Sequence, residues 1–278
     1  MIGTASRPFL GLLARLATLV LTLVLAPGAA GLDLSGYRMV DLSHSFNQDT
    51  LYWPTSPTRF EKQEIAYGKT EGGWFYSAFS VCLPEHGGTH LDAPLHFAEG
   101  AHATDEMPLS DLIAPAVVID VTAAAAKDRD YRLTVADLAA HEKRHGKIAP
   151  GTIVILKTGW SRYWPQAKAY LGDDTRGDAS KLSFPSYGAE ATKILVEERR
   201  VVLLGVDTAS IDYGKSQDFP VHRISAARNV GGLENLTNLD QLPATGAYVI
   251  ALPMKIEGGS GGPVRVVALV PQETDAKD

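Results

Sequence analysis

A single cysteine, Cys82, in 278 residues leaves no intramolecular disulfide, so stability has to come from the size of the core. Basic residues are also short. The chain has 26 Lys and Arg against 32 Asp and Glu, a formal net charge of −6. Proteins that grip a phosphate backbone gather Lys and Arg on one face, so no nucleic-acid partner is expected. Long apolar runs are missing too. The stretch 16–26 is shorter than the roughly 20 residues a bilayer span needs, so no stable span is expected. No repeat of fixed period appears, which excludes solenoids and propellers. The glycine-rich stretch 258–262 lacks the Lys and Ser or Thr of a phosphate loop and precedes a strand pattern rather than a helix. It is expected to form a tight loop near the functional site.

What is present begins with an N-terminus that reads as an export signal. Arg7 and Arg15 precede the apolar run 16–26, and Pro27, Gly28, Ala29 and Ala30 supply the small residues a signal peptidase prefers. Residues 1–30 are therefore expected to be a cleaved signal and 31–278 the functional domain, periplasmic or secreted; an uncleaved anchor or a misplaced start codon are the alternatives. Apolar and β-branched runs at 116–121, 152–156, 201–206, 248–252 and 264–270 read as buried strands. Helical patterns are fewer. Thr134 with Asp137 three residues on marks a capped helix, and 187–199 carries Ala191, Ile194 and Leu195 at helical spacing. The Asp-, Ser-, Gly- and Pro-rich stretch 172–186 reads as a loop. The expected class is α/β with strands in the majority.

Three histidines and an aspartate fall within eleven residues, in the run HGGTHLDAPLHF that starts at His86. Imidazole and carboxylate are the usual ligands of divalent metals other than thiolate-bound ones. Gly87, Gly88 and Pro94 disfavour a helix, and in an extended chain His86, His90, Asp92 and His96 project to one side. The competing reading makes Thr89 and Asp92 turn-formers beside ordinary histidines. His222 and Glu234, twelve residues apart around Gly231 and Gly232, are weak evidence alone. Asp207 and Asp212 read as turn chemistry rather than ligands. Tyr52, Trp53 and Trp74 to Tyr76 offer flat walls for an aryl ligand or serve the core. Cys82 reads as a small buried hydrophobe and His141 and His145 as surface residues.

The run from His86 resembles the cyclase family of metal-dependent amide hydrolases, which includes kynurenine formamidases and isatin hydrolases. The family pattern H-x-G-T-H-x-D-A-P-x-H is met by His86, Gly88, Thr89, His90, Asp92, Ala93, Pro94 and His96. The stretch GVDTASIDYG at 205–214, then His222 and the LENL around Glu234, resembles its second cluster. The similarity spans about 40–271. It implies a compact, strand-rich swivelling β/β/α fold, with His86, His90 and Asp92 as metal ligands completed by His222 and Glu234. It further implies His96 as acid or base and Trp53 at the substrate. Manganese and zinc both suit such ligands. The expected activity is hydrolysis of an aryl or cyclic amide by a metal-activated water, isatin-hydrolase-like, with arylformamidase as the alternative and an exported metal- or ligand-binding protein without turnover as the alternative of another class. A homo-oligomer is expected.

Overall fold

The computed structural model describes Met1 and residues 33–272. Contacts divide the chain into Met1–Leu34 and Ser35–Asp278, and the fold belongs to the second unit. The expected signal, 1–30, lies outside the described residues apart from Met1. Among the described residues no helix is long and apolar enough to cross a membrane.

Eight strands make one sheet: β1 (Tyr37–Asp41), β4 (His90–Asp92), β5 (Ile113–Asp120), β7 (Ile153–Lys157), β9 (Leu203–Val206), β10 (Gly231–Glu234), β11 (Ala247–Pro253) and β12 (Gly261–Pro271). Their order is β1-β12-β11-β5-β7-β9-β10-β4, and β4 pairs back onto β12. The long β12 makes this closure by using one edge twice. Its first residues face β4, with Gly261 opposite Asp92, and its last face β1, with Val267 opposite Asp41. The four strands β5, β7, β9 and β10 run parallel, and the others are antiparallel. A sheet closed in this way has no long free edge on its ring.

Two cores follow from the alternation of side chains along these strands. Ile153, Ile155, Leu203, Leu233, Val249 and Val266 fill the inside of the ring. Val154, Leu156, Leu204 and Val206 point outward against Leu138 of the helix Val135–His145 and Leu195 of the segment Ile194–Glu198. Each such buried aliphatic side chain contributes roughly 1.5–3 kcal/mol. The expected runs of apolar residues all became strands of this ring. The runs of β7 and β9 were legible because strands buried on both faces read as continuous apolar sequence, whereas β5, β11 and β12 alternate buried and more exposed positions and were legible by their apolar and β-branched content.

The helix after Thr134 carries the expected capping box: the Thr134 hydroxyl accepts from Asp137 N–H and the Asp137 carboxylate accepts from Thr134 N–H. The helix expected over 187–199 starts later, because β8 (Ser186–Tyr187) pairs in parallel with β6 (Arg132–Leu133). It runs as Ala189–Lys193 and widens into a π-turn over Ile194–Glu198. His141 is not a surface residue. It is buried on the inner side of Val135–His145.

The strands β2 (Glu61–Lys69) and β3 (Phe75–Cys82) pair only with each other. This hairpin is solvated on both faces, and Ile65, Tyr67, Trp74 and Phe75 stand 67%, 66%, 64% and 58% exposed. Trp74, Phe75 and Tyr76 are therefore exposed on this arm rather than in the core, and they do not line the cavity at His86. Cys82, at the end of the hairpin, is exposed rather than buried. The run Val81–Leu83 that suggested a core position lies on this projecting arm instead.

Candidate metal centre

The three-residue strand β4 is the axis of the site. His90 and Asp92 project to one side of it and Leu91 to the core on the other. Its neighbours on both edges supply the rest. Glu234 on β10 stands directly across from His90, and Gly232 and Gly261 flank Asp92. A Cβ on Gly261 would lie 2.5 Å from His86 Cε1, so only glycine lets the His86 ring settle there.

His86 and His96 reach the same place by routes that the extended-chain reading did not foresee. Gly87 and Gly88 take φ of +145° and +58°, which turns the chain back before β4 begins. His96 ends a short 3-10 turn, Pro94–His96, started by a proline whose missing N–H costs nothing there. His222 comes from the helix Pro220–Ala226. All six residues, with Trp53, line one cavity of about 260 Å³.

The distances define two trios sharing Asp92: His86, His90 and Asp92, and Asp92, His222 and Glu234, each with ligand-type atoms all within 4.8 Å. His86 Nδ1 lies 2.6 Å from Asp92 Oδ1, and His90 Nε2 lies 3.1 Å from the same oxygen and 3.5 Å from Glu234 Oε2. His222 Nε2 lies 3.1 Å from Asp92 Oδ2 and 3.3 Å from Glu234 Oε1.

The remaining nitrogens of His90 and His222 are tied back to the protein. His90 Nδ1–H donates to the Gly88 carbonyl at 3.0 Å, and His222 Nδ1–H donates to Asp212 Oδ2 at 2.7 Å. A neutral ring held this way turns its Nε2 lone pair inward, toward carboxylate oxygens. Lone pairs facing carboxylates repel unless a cation or protons lie between them. In the metal-free chain protons fill that role. Burial lowers the affinity of His90 for its proton, but Asp92 and Glu234 beside it raise its pKa to about 9. His222 is likewise held well above its usual value, against burial, by hydrogen bonds to Asp212, Asp92 and Glu234. The two acids part: Asp92 sits well below the usual range despite its burial because of His86, His90 and His222, whereas burial and the Asp92 charge push Glu234 up. A divalent ion replaces such protons and is matched by three imidazoles and two carboxylates, a donor set of nitrogen and oxygen only. The residues thus fit a metal.

His96 stands apart from this set. Its ring stacks on His86 at 3.9 Å with 21° between planes, and among the described residues neither ring nitrogen forms a hydrogen bond. Burial, then the neighbouring imidazoles, push it down to about 4 against the pull of Asp92, so it is neutral at pH 7. The rest of the cavity is mostly apolar: Leu51, Tyr52, Trp53, Phe97, Leu171 and Phe219 form most of its walls, with Ser210 and Asn235 as polar additions, and Trp53 meets Phe219 at 6.2 Å.

Sequence reasoning missed several contributors. Asp212, read as turn chemistry, holds His222 from ten residues away. Ser260 comes from the glycine-rich loop that was expected near the site, and its hydroxyl lies 2.9 Å from His86 Nε2. Asn235 donates to the same Gly88 carbonyl that orients His90. No spacing rule links such partners, since each contact depends on how the ring closes. Tyr52, which packs its ring on Gly87, was marked only as one of several flat walls.

Known proteins resemble this chain in sequence and in fold. The chain is 37% identical to an isatin hydrolase from Roseibium aggregatum over 222 residues, which covers 77% of this chain and 82% of that protein. It is 30% identical to a kynurenine formamidase from Salinibacter ruber, covering 82% and 96%. Isatin hydrolase A from Labrenzia aggregata, solved bound to benzyl benzoate, superposes with a TM-score of 0.78 at 34% identity over 87% of this chain and 97% of that one. The model of the family described as "Putative cyclase" matches residues 40–213, and the chain belongs to that family.

Proposed function

We propose that the protein is a metal-dependent hydrolase that opens the amide C–N bond of an aryl or cyclic amide, with isatin-type substrates ahead of N-formylkynurenine. One observation carries this reading. The metal-fitting cluster lines a cavity whose walls are mainly aromatic and aliphatic and whose lining includes no Lys or Arg. A flat, uncharged bicyclic amide buries its rings against Tyr52, Trp53, Phe97 and Phe219 at no electrostatic cost. The amino-acid head of N-formylkynurenine would bring a carboxylate that meets no Lys or Arg there, and an unpaired charge is costly to bury. Similarity to an isatin hydrolase supports the same choice.

His86, His90 and Asp92, completed by His222 and Glu234, would hold the ion. Bound there, a divalent ion supplies Lewis acidity, which polarises a carbonyl and acidifies water. The donor set suits manganese and zinc alike. His96 is the proton carrier: with its ring neutral and its ring nitrogens free of protein hydrogen bonds, it takes a proton from the attacking water as the O–C bond forms. It returns that proton to the departing nitrogen as the C–N bond breaks, leaving an amine and a carboxylic acid that then loses its remaining proton to solvent. Trp53 is a wall of the substrate pocket.

The chain is further proposed to be a homo-oligomer. The support is the β2–β3 hairpin, since an isolated pair of strands is marginal in water and this one carries a broad solvated aromatic surface. Sedimentation of the purified protein tests this point.

The function is tested by comparing kcat/KM of the metal-reconstituted protein for isatin and for N-formylkynurenine. Preference for isatin is expected. Preference for N-formylkynurenine overturns the substrate assignment, and no turnover of either leaves the metal-binding protein without catalysis.

A further inference from the structure

His86 differs from the other two imidazoles of the cluster. His90 and His222 direct Nε2 inward, whereas His86 directs Nδ1, at 2.6 Å from Asp92 Oδ1. Something must therefore keep its proton on Nε2. The structure shows what lies behind that nitrogen. Ser260 Oγ is 2.9 Å from His86 Nε2 and 2.6 Å from Glu85 Oε2, and Ser260 N–H donates to the same Glu85 oxygen at 3.1 Å.

The direction of these bonds follows from elementary chemistry. A carboxylate only accepts, so the Ser260 hydroxyl gives its one proton to Glu85. With that proton spent, Ser260 Oγ can only accept from His86, and Nε2 must carry the hydrogen. A neutral ring with hydrogen on Nε2 has its lone pair on Nδ1. The sequence EH at 85–86 places acid and imidazole side by side in the chain, but they act on each other through a serine 174 residues away from His86.

We propose that Glu85 is a positioning residue that fixes the tautomer of His86 through Ser260, so that Nδ1 is presented to the metal. This rests on the metal reading of the site given above. Without Glu85 the hydroxyl turns and donates to Nε2, the ring carries its hydrogen on Nδ1, and that hydrogen points at Asp92 where the ion would sit. Outer partners of metal-bound imidazoles typically contribute about 10–100-fold in metal affinity.

The test uses the full chain stripped of metal and titrated with zinc chloride and with manganese chloride by calorimetry. Wild type, Glu85→Ala, Glu85→Gln and Ser260→Ala are compared, with nitrogen-15 spectra of the histidines in the zinc-loaded forms. The wild-type spectrum is expected to show one ring bonded through Nδ1 with hydrogen on Nε2. Glu85→Ala and Ser260→Ala should bind either ion about 10–100-fold more weakly, with unchanged melting of the metal-free protein. Glu85→Gln, whose amide oxygen still accepts from Ser260, should lie nearer to wild type. Ser260→Ala removes only a hydroxyl in a loop and remains informative if Glu85→Ala does not fold. Unchanged affinity and an unchanged ring signature in Ser260→Ala and in a folded Glu85 variant overturn the relay alone. A wild-type protein that binds neither ion overturns the metal reading beneath it.

Discussion

Replacing Asp212 by asparagine probes the support of the second trio with a nearly isosteric change. Asp212 is 1% exposed. Its Oδ1 accepts from Val221 N–H at 3.0 Å, and its Oδ2 accepts from His222 N–H at 3.0 Å and from His222 Nδ1–H at 2.7 Å. The Ser216 hydroxyl also donates to Oδ1, at 3.4 Å, and with all four partners donating both oxygens must accept. Asparagine has one oxygen and one NH2. With NH2 toward His222, that ring must accept at Nδ1 and carries its hydrogen on Nε2, which faces Asp92 and Glu234 at 3.1 and 3.3 Å. With NH2 toward Val221, the tautomer survives but a backbone N–H in the first turn of Pro220–Ala226 loses its acceptor. One buried donor left unpaired costs about 1–3 kcal/mol, and each kcal/mol lowers Tm by roughly 2–4 °C for a domain of this size. Loss of an orienting partner weakens metal binding about 10–100-fold, or about 1.4–2.7 kcal/mol. Urea denaturation of the metal-free protein reads the first effect and zinc calorimetry the second. Asp212→Asn is expected to lose stability in either orientation and metal affinity in the first. A variant with wild-type stability and wild-type affinity refutes the reasoning.

Removing the proton carrier should separate turnover from metal content. His96→Ala is expected to keep its metal and lose about two to four orders of magnitude in kcat; loss of metal, read by elemental analysis, would place His96 among the ligands. A pH effect is expected from a histidine outside the cluster, although its backbone N–H donates to Thr89 beside His90. His44 stacks on Trp164 at 4.3 Å with Nε2 buried and unpartnered among the described residues, and burial lowers its pKa to about 4 from the ordinary 6.5. The folded state therefore prefers neutral His44. Its contribution is full above pH 6.5 and is lost as pH falls toward 4, when the unfolded chain takes a proton that the folded chain refuses. The loss is about 3 kcal/mol at most. His44→Phe keeps the stack and should flatten that part of the stability curve, and urea midpoints at pH 7 and pH 4.5 that shift equally in both proteins would disprove it.

How far the sequence reveals this protein depends on the range of each interaction. Among the ring strands, β7 and β9 were legible because burial on both faces leaves continuous apolar runs, and β5, β11 and β12 because their apolar and β-branched residues outnumber the polar ones even where one face is partly exposed. The strands β4 and β10, three and four residues long, leave no period to detect, although they carry His90, Asp92 and Glu234. The hairpin was hidden for another reason, since its mixed charged and aromatic residues follow no one-sided alternation. The cluster His86 to His96 was visible because its members are close in sequence. Its stated geometry was wrong, since Gly87, Gly88 and the turn at Pro94 replace a straight strand, yet the side chains converge. His222 and Glu234 stood out only through resemblance. Asp212, Ser260 and Glu85 could not be assigned roles, because hydrogen bonds to a ring nitrogen across 10 or 174 residues leave no trace in spacing.

The central claim is that a divalent ion held by this cluster is required for hydrolysis. Isatin turnover is measured on purified protein, then after dialysis against EDTA, then after addition of manganese or zinc, with metal content determined at each stage. The account predicts that activity falls with the bound metal and returns when the ion is restored. Full turnover by protein shown to hold no divalent metal would contradict it.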